Sequence, residues 1–125
     1  MASNVVSDNF ETGSGGVPQL GGTGATTCKA WVNFNGSGTV AIRDSYNVSS
    51  ITDNGNGDYT VNFTIAMANA NYTTAHAGGQ KTLNWGLYLG YSSYGSTSTS
   101  HRFFNVTPGD VATDTQYCSL IFFSN

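Results

Sequence analysis

The chain has 125 residues, of which 38% are hydrophobic and 13% aromatic, but only 9% are charged, against ~25% in ordinary soluble domains. That length holds one domain and one core, with Asn, Ser, Thr and Gly rather than charge keeping the surface wet, a composition that favours strands and turns over helices. The formal net charge is −3 and the four basic residues, Lys29, Arg43, Lys81 and Arg102, are scattered, which excludes the basic cluster that nucleic acid needs; no apolar run approaches the ~18 residues of a membrane span, so no membrane insertion is expected.

Residues 1–27 begin without the basic and apolar regions of a signal peptide. From residue 13 they are rich in Gly and nearly free of apolar periodicity, which predicts a flexible arm or linker. Residues 28–125 read as the folded domain. Ala30-Trp31-Val32-Asn33-Phe34, the Gly-rich stretch Asn35-Gly36-Ser37-Gly38, and Thr39-Val40-Ala41-Ile42-Arg43 form a predicted hairpin. A second hairpin joins residues 48–52 to residues 59–65 through Asp53-Asn54-Gly55-Asn56-Gly57-Asp58. In its return strand Tyr59, Val61, Phe63 and Ile65 share one face, and Thr60, Asn62 and Thr64 share a face meant for water or a polar partner.

Residues 83–91 repeat the alternation, with Gly86 and Gly90 opposite the large residues, where another backbone could approach. After a Ser/Thr-rich loop, residues 101–106 form a further strand. The last strand covers residues 117–123, with Cys118, Leu120 and Phe122 on one face and Tyr117, Ile121 and Phe123 on the other. Both faces are apolar, which implies a central or interface strand. The fold class expected is all-β, an antiparallel β-sandwich or compact barrel.

Catalytic chemistry finds little support. The acidic inventory is six Asp and Glu11; Asp44, Asp53, Asp58, Asp110 and Asp114 adjoin predicted turns, where Asp bonds the backbone. No Gly-x-Ser-x-Gly elbow occurs. The two histidines, His76 and His101, lack local metal-ligand spacing, and the Asp53–Asp58 loop lacks the ligands of a calcium site. No enzyme activity, metal or cofactor is expected. Cys28 and Cys118 are read as free thiols ahead of a bridge between them, which sequence alone does not decide, since nothing else suggests an oxidising compartment. The Asn-x-Ser/Thr sequons, among them those at Asn47, Asn62, Asn71 and Asn105, are read as chance products of Asn/Thr-rich strands. The ligand candidates are aromatic: Trp31 and Tyr88 fall opposite the main apolar stripes, and Tyr91 and Tyr94 flank the Ser/Thr-rich loop. Such rings stack on sugars or pack on a protein, although they also serve in cores and subunit contacts.

The blocks Ala30-Trp31-Val32-Asn33-Phe34-Asn35-Gly36 and Ser49-Ser50-Ile51-Thr52-Asp53-Asn54-Gly55-Asn56-Gly57-Asp58-Tyr59-Thr60-Val61-Asn62-Phe63 resemble the C-terminal domain of bacteriophage tail fibre proteins of marine phage and prophage type, over residues 28–125. The resemblance implies a place on the virion at the distal end of a trimeric fibre, after synthesis in the host cytoplasm. It also implies a contact with a glycan or protein receptor on the host surface. A homotrimer would use the second apolar face of the last strand, with Leu120, Ile121, Phe122 and Phe123 as interface candidates. The alternative is a non-catalytic trimerisation or folding cap of the fibre.

Overall fold

The structure, a computed structural model, describes residues 27–79, 89–91 and 95–124, with side chains over 28–79 and 95–124. Among the described residues eight strands run in chain order: β1 Thr27–Asn35, β2 Ala41–Tyr46, β3 Val48–Gly55, β4 Asp58–Phe63, β5 Thr73–Gly79, β6 Leu89–Tyr91, β7 Ser100–Val106 and β8 Tyr117–Ser124. They form two antiparallel sheets, sheet A in the order β2-β1-β8-β5 and sheet B in the order β3-β4-β7-β6. The two sheets pack as a sandwich. The arm expected over residues 1–27 lies outside the described residues except for Thr27, which already pairs with Ser124 as the first residue of β1.

Alternation along each strand decides what is buried. From sheet A come Ala30, Val32 and Phe34 on β1 and Cys118, Leu120 and Phe122 on β8; from sheet B come Tyr59, Val61 and Phe63 on β4 and Phe103 on β7. The rings interlock across the layers: Phe34 meets Tyr59 edge-on at 5.3 Å between centroids, and Phe63 meets Phe122 at 5.0 Å. Each such pair is worth about 0.5–1.5 kcal/mol beyond the area it buries.

Both predicted hairpins form, with moved ends. β2 starts at Ala41 and runs on to Tyr46, with a bulge opposite Asn33/Phe34. β4 stops at Phe63 because Asn47, in the left-handed region at φ 56, captures the backbone of Ile65: its Oδ1 accepts the Ile65 N–H at 2.7 Å and its Nδ2 donates to the Ile65 carbonyl at 3.1 Å. Ile65 is therefore turned out and 71% exposed, not on the core face with Tyr59, Val61 and Phe63. The turn of the second hairpin narrows to Asn56-Gly57, and Gly57 takes φ 69 against the backbone of Thr113 and Asn105, where a Cβ would collide.

β5 is a strand that the pattern of its residues did not announce. Of the strand expected over residues 83–91, only Leu89–Tyr91 lies within the described residues, paired with β7. β8 is central in its sheet, as its two apolar faces imply, between β1 and β5. Leu120 and Phe122 fill the chain's own core, 1% and 0% exposed, so the expectation that they face another subunit is corrected: the alternation of β8 turns them inward.

Candidate functional site

The two outer faces of the sandwich differ in kind. On sheet B, Ser50 and Thr52 of β3, Thr60 and Asn62 of β4 and Arg102 of β7 point outward and satisfy one another. Asn62 Nδ2 donates to Ser50 Oγ at 3.0 Å and Thr52 Oγ1 at 2.9 Å, and Asn54 Nδ2 donates to Thr60 Oγ1 at 2.8 Å. Arg102 grips Asp58 with Nε on Oδ1 at 2.9 Å and Nη2 on Oδ2 at 2.6 Å. The hydrogen bonds from Arg102 hold the Asp58 carboxyl below the usual carboxylate range against the opposing effect of burial. Asp58 thus makes an ion pair rather than the backbone turn contact expected of it.

The outer face of sheet A carries rings and aliphatics instead. Register sets Tyr46 on β2 opposite Trp31 on β1, Trp31 opposite Ile121 on β8, and Ile121 opposite Ala75 on β5. With strands about 4.8 Å apart, this row spans ~14 Å across the sheet. Phe123 extends the apolar surface along β8, and Tyr117 stands on the same face beyond Ser119. Tyr46 is 58% exposed, Tyr117 45%, Ile121 41% and Phe123 38%, while Trp31 is half-buried by its neighbours. Beside the row runs a polar strip of Asp44, Asn33 and Ser119, in which Asn33 Nδ2 donates to Ser119 Oγ at 3.3 Å. Arg43 closes it, donating to Asn33 Oδ1 at 3.2 Å and lying 4.6 Å from the centre of the Tyr117 ring. Contiguous exposed apolar surface of this kind marks an interaction face.

Tyr46 also lines a cleft of about 630 Å³ with Lys29, Thr64, Ile65, Met67 and Ser124. The cleft is preformed: Asn47 Nδ2 donates to the Lys29 carbonyl at 3.0 Å, and the Met67 N–H donates to the Ser98 carbonyl at 2.7 Å. It sits at the end of the sandwich where Thr27 and Ser124 pair. The opposite end gathers the loops after β1, β3 and β7 into a bonded rim. There Gly36 N–H donates to the Thr115 carbonyl at 2.9 Å, and Asp114 Oδ1 accepts from Gly57 N–H at 2.7 Å. The buried Tyr59 hydroxyl shares its proton between the Gly36 carbonyl at 2.6 Å and Asp114 Oδ1 at 2.8 Å; burial first, and Asp114 second, push its ionisation far up.

Of the four aromatic candidates, Trp31 stands on the apolar face. Tyr91 belongs to the other sheet, because β6 pairs with β7 and sets Tyr91 opposite Phe104; the structure does not bring it to Trp31. Tyr88 and Tyr94 lie outside the described residues. Ile121 and Phe123, expected at a subunit contact, do face outward, and they share the face with Trp31. Tyr46 was missed: the predicted strand ended at Arg43, and the bulge that carries Tyr46 onto the Trp31 row leaves no mark in the residue pattern.

Ser96 Oγ lies 3.0 Å from His101 Nδ1, a hydroxyl–imidazole pair of the type found in acyl transfer. His101 is 2% exposed, its other nitrogen has no partner, and burial brings its pKa to about 4. Among the described residues no hydrogen-bond partner stands behind the ring, and burial disfavours its protonated form. Among the described residues no group of three or more His, Cys, Asp or Glu could hold a metal ion, and both cysteines are free. No protein family, curated protein or solved structure matches the chain.

Proposed function

We propose that this chain is a non-catalytic attachment domain, the distal receptor-binding part of a bacteriophage tail fibre on the virion, and that it meets the host surface through the outer face of sheet A. The observation that supports the reading is the contrast between the sheets: sheet B covers itself with mutually bonded Ser, Thr and Asn, while sheet A leaves Tyr46, Ile121 and Phe123 exposed around a half-buried Trp31. Flat aromatic rings beside a polar strip suit a glycan or a protein receptor. The resemblance of the two sequence blocks to tail fibre domains supplies the biological setting. The test is binding of the purified chain to a panel of bacterial cells. Trp31→Ala and Ile121→Ser should abolish it, and Thr60→Ala on sheet B should leave it intact. Binding that survives both sheet A changes would sink the assignment of the face.

A second reading, a trimerisation or folding cap, is favoured by the exposure of Ile121 and Phe123 on the central strand β8. Three copies meeting through this face would give a solution mass three times that of the chain by light scattering, and Ile121→Asp with Phe123→Asp would reduce it to one. A wild-type mass of one chain rejects the cap and leaves the attachment reading standing.

A further inference from the structure

Among the described strands β5 lies at an edge, bonded to β8 alone. Its outward residues Thr73, Ala75 and Ala77 are exposed, and its inward residues Thr74, His76 and Gly78 stand opposite Phe122, Leu120 and Cys118. His76 is therefore the single large side chain that β5 sends into the sandwich. Its ring stands edge-on to Phe103 of β7 at 4.7 Å between centroids, and both ring nitrogens are buried without a hydrogen-bond partner. Two more unpartnered atoms, His101 Nε2 and Asn105 Oδ1, face the same interior from β7. A neutral imidazole is tolerated in such a place, but an imidazolium, with burial opposing its charge and the Asn105 carboxamide as its one polar support, is disfavoured.

We infer that β5 is an acid-releasable strand, latched onto sheet B by the His76 ring: at neutral pH the ring seats the strand, and mild acid frees β5 from β8 while the rest of the sandwich persists. Its release uncovers the hydrogen-bonding edge of β8, a surface that pairs with other strands when left open, and the Cys118 thiol beneath Gly78.

The titratable groups around the latch reinforce it. His101 faces it from β7, Cys118 from β8 and Tyr59 from β4; Tyr72, just before β5, packs on His101 at 5.9 Å, and β6 contributes Tyr91 as its one titratable residue. Burial lowers the pKa of both histidines from 6.5; His76 further lowers that of His101, and only the nearby Asn105 carboxamide pulls that of His76 the other way. Because the seated value is depressed, the closed form is fully favoured above pH 6.5 and loses ground as pH falls towards that value. One histidine can raise the opening constant by about tenfold per pH unit, or about thirtyfold between pH 7.5 and pH 5.

The whole chain is treated with an aromatic disulfide reagent at both pH values, and the labelling rate of Cys118 is divided by that of Cys28, which cancels the common dependence of thiol chemistry on pH. The ratio should rise by about ten- to thirtyfold at pH 5 in the wild type and stay level in His76→Gln, which cannot titrate, and in His76→Phe, which keeps a ring. Hydrogen exchange, corrected for its intrinsic pH dependence, should show β5 amides opening while those of β1 and β4 stay protected. A flat wild-type ratio, a rise that persists in both His76 variants, or simultaneous exchange of β1, β4 and β5 would each overturn the latch.

Discussion

Phe122 and Phe123 are neighbours on β8 with opposite fates, and truncating each to Ala measures the orientation of the strand. Phe122 is fully buried, with its ring centroid 5.0 Å from Phe63, 5.3 Å from His101 and 5.8 Å from Tyr72. Phe122→Ala removes all three ring contacts and leaves a cavity that the two sheets cannot close, a loss of about 3–5 kcal/mol. A domain of this size has roughly 5–15 kcal/mol in total, so the variant should sit near its unfolding limit. Phe122→Leu, which keeps part of the volume, serves where it does not fold. Phe123 is 38% exposed on the other face, and Phe123→Ala should cost under about 1 kcal/mol. Urea unfolding followed by circular dichroism reads both values, and the midpoints should separate by more than about 1 M. Equal losses in the two variants would refute the orientation of β8 and with it the apolar face of sheet A.

Stability as a whole should follow His101. Its pKa falls from 6.5 to about 4 on folding, so its contribution is complete above pH 6.5 and declines as pH drops to about 4. The loss is on the order of 2–3 kcal/mol, and a urea midpoint that stays level from pH 7 to pH 4.5 would count against it. Gly57 and Gly38 both have positive φ, 69 and 68, but only Gly57 is packed against other backbone. Gly38→Ala should therefore cost about 1–2 kcal/mol of left-handed strain, and Gly57→Ala clearly more, as compared by thermal melting; similar melting points would show the close approach at Gly57 to be wrong. Asp58→Asn should lose about 1 kcal/mol at neutral pH, a modest value because the Arg102 side chain is 42% exposed. That contribution is present above the unfolded carboxylate value of 3.8 and vanishes as pH falls through the lower folded one. A double-mutant cycle with Arg102→Met should find the same coupling, and a coupling near zero would deny the pair any role in stability.

What the residues alone determine is what each strand can bury. Tyr59, Val61 and Phe63 alternate with Thr60 and Asn62, and a backbone with a period of two admits one arrangement with the rings inside. The Gly and Asn positions marked both hairpin turns for a similarly local reason, since few other residues reach the backbone angles required. β5 was illegible because Thr-Thr-Ala-His-Ala-Gly-Gly has no apolar stripe; it is extended because β8 offers it a row of unpaired backbone groups, a fact about a partner some forty residues away. The same holds for the candidate site. Trp31 could be picked out as a ring on the wrong side of its strand, but its company of Tyr46, Ile121 and Ala75 comes from three other strands and a bulge, and the exclusion of Tyr91 comes from the sheet that β6 joins. Local pattern sets which side of a strand is apolar. Which strands lie side by side, and so which surfaces become continuous, is decided by long-range pairing, where many registers bury the same residues and only the packed sandwich selects among them.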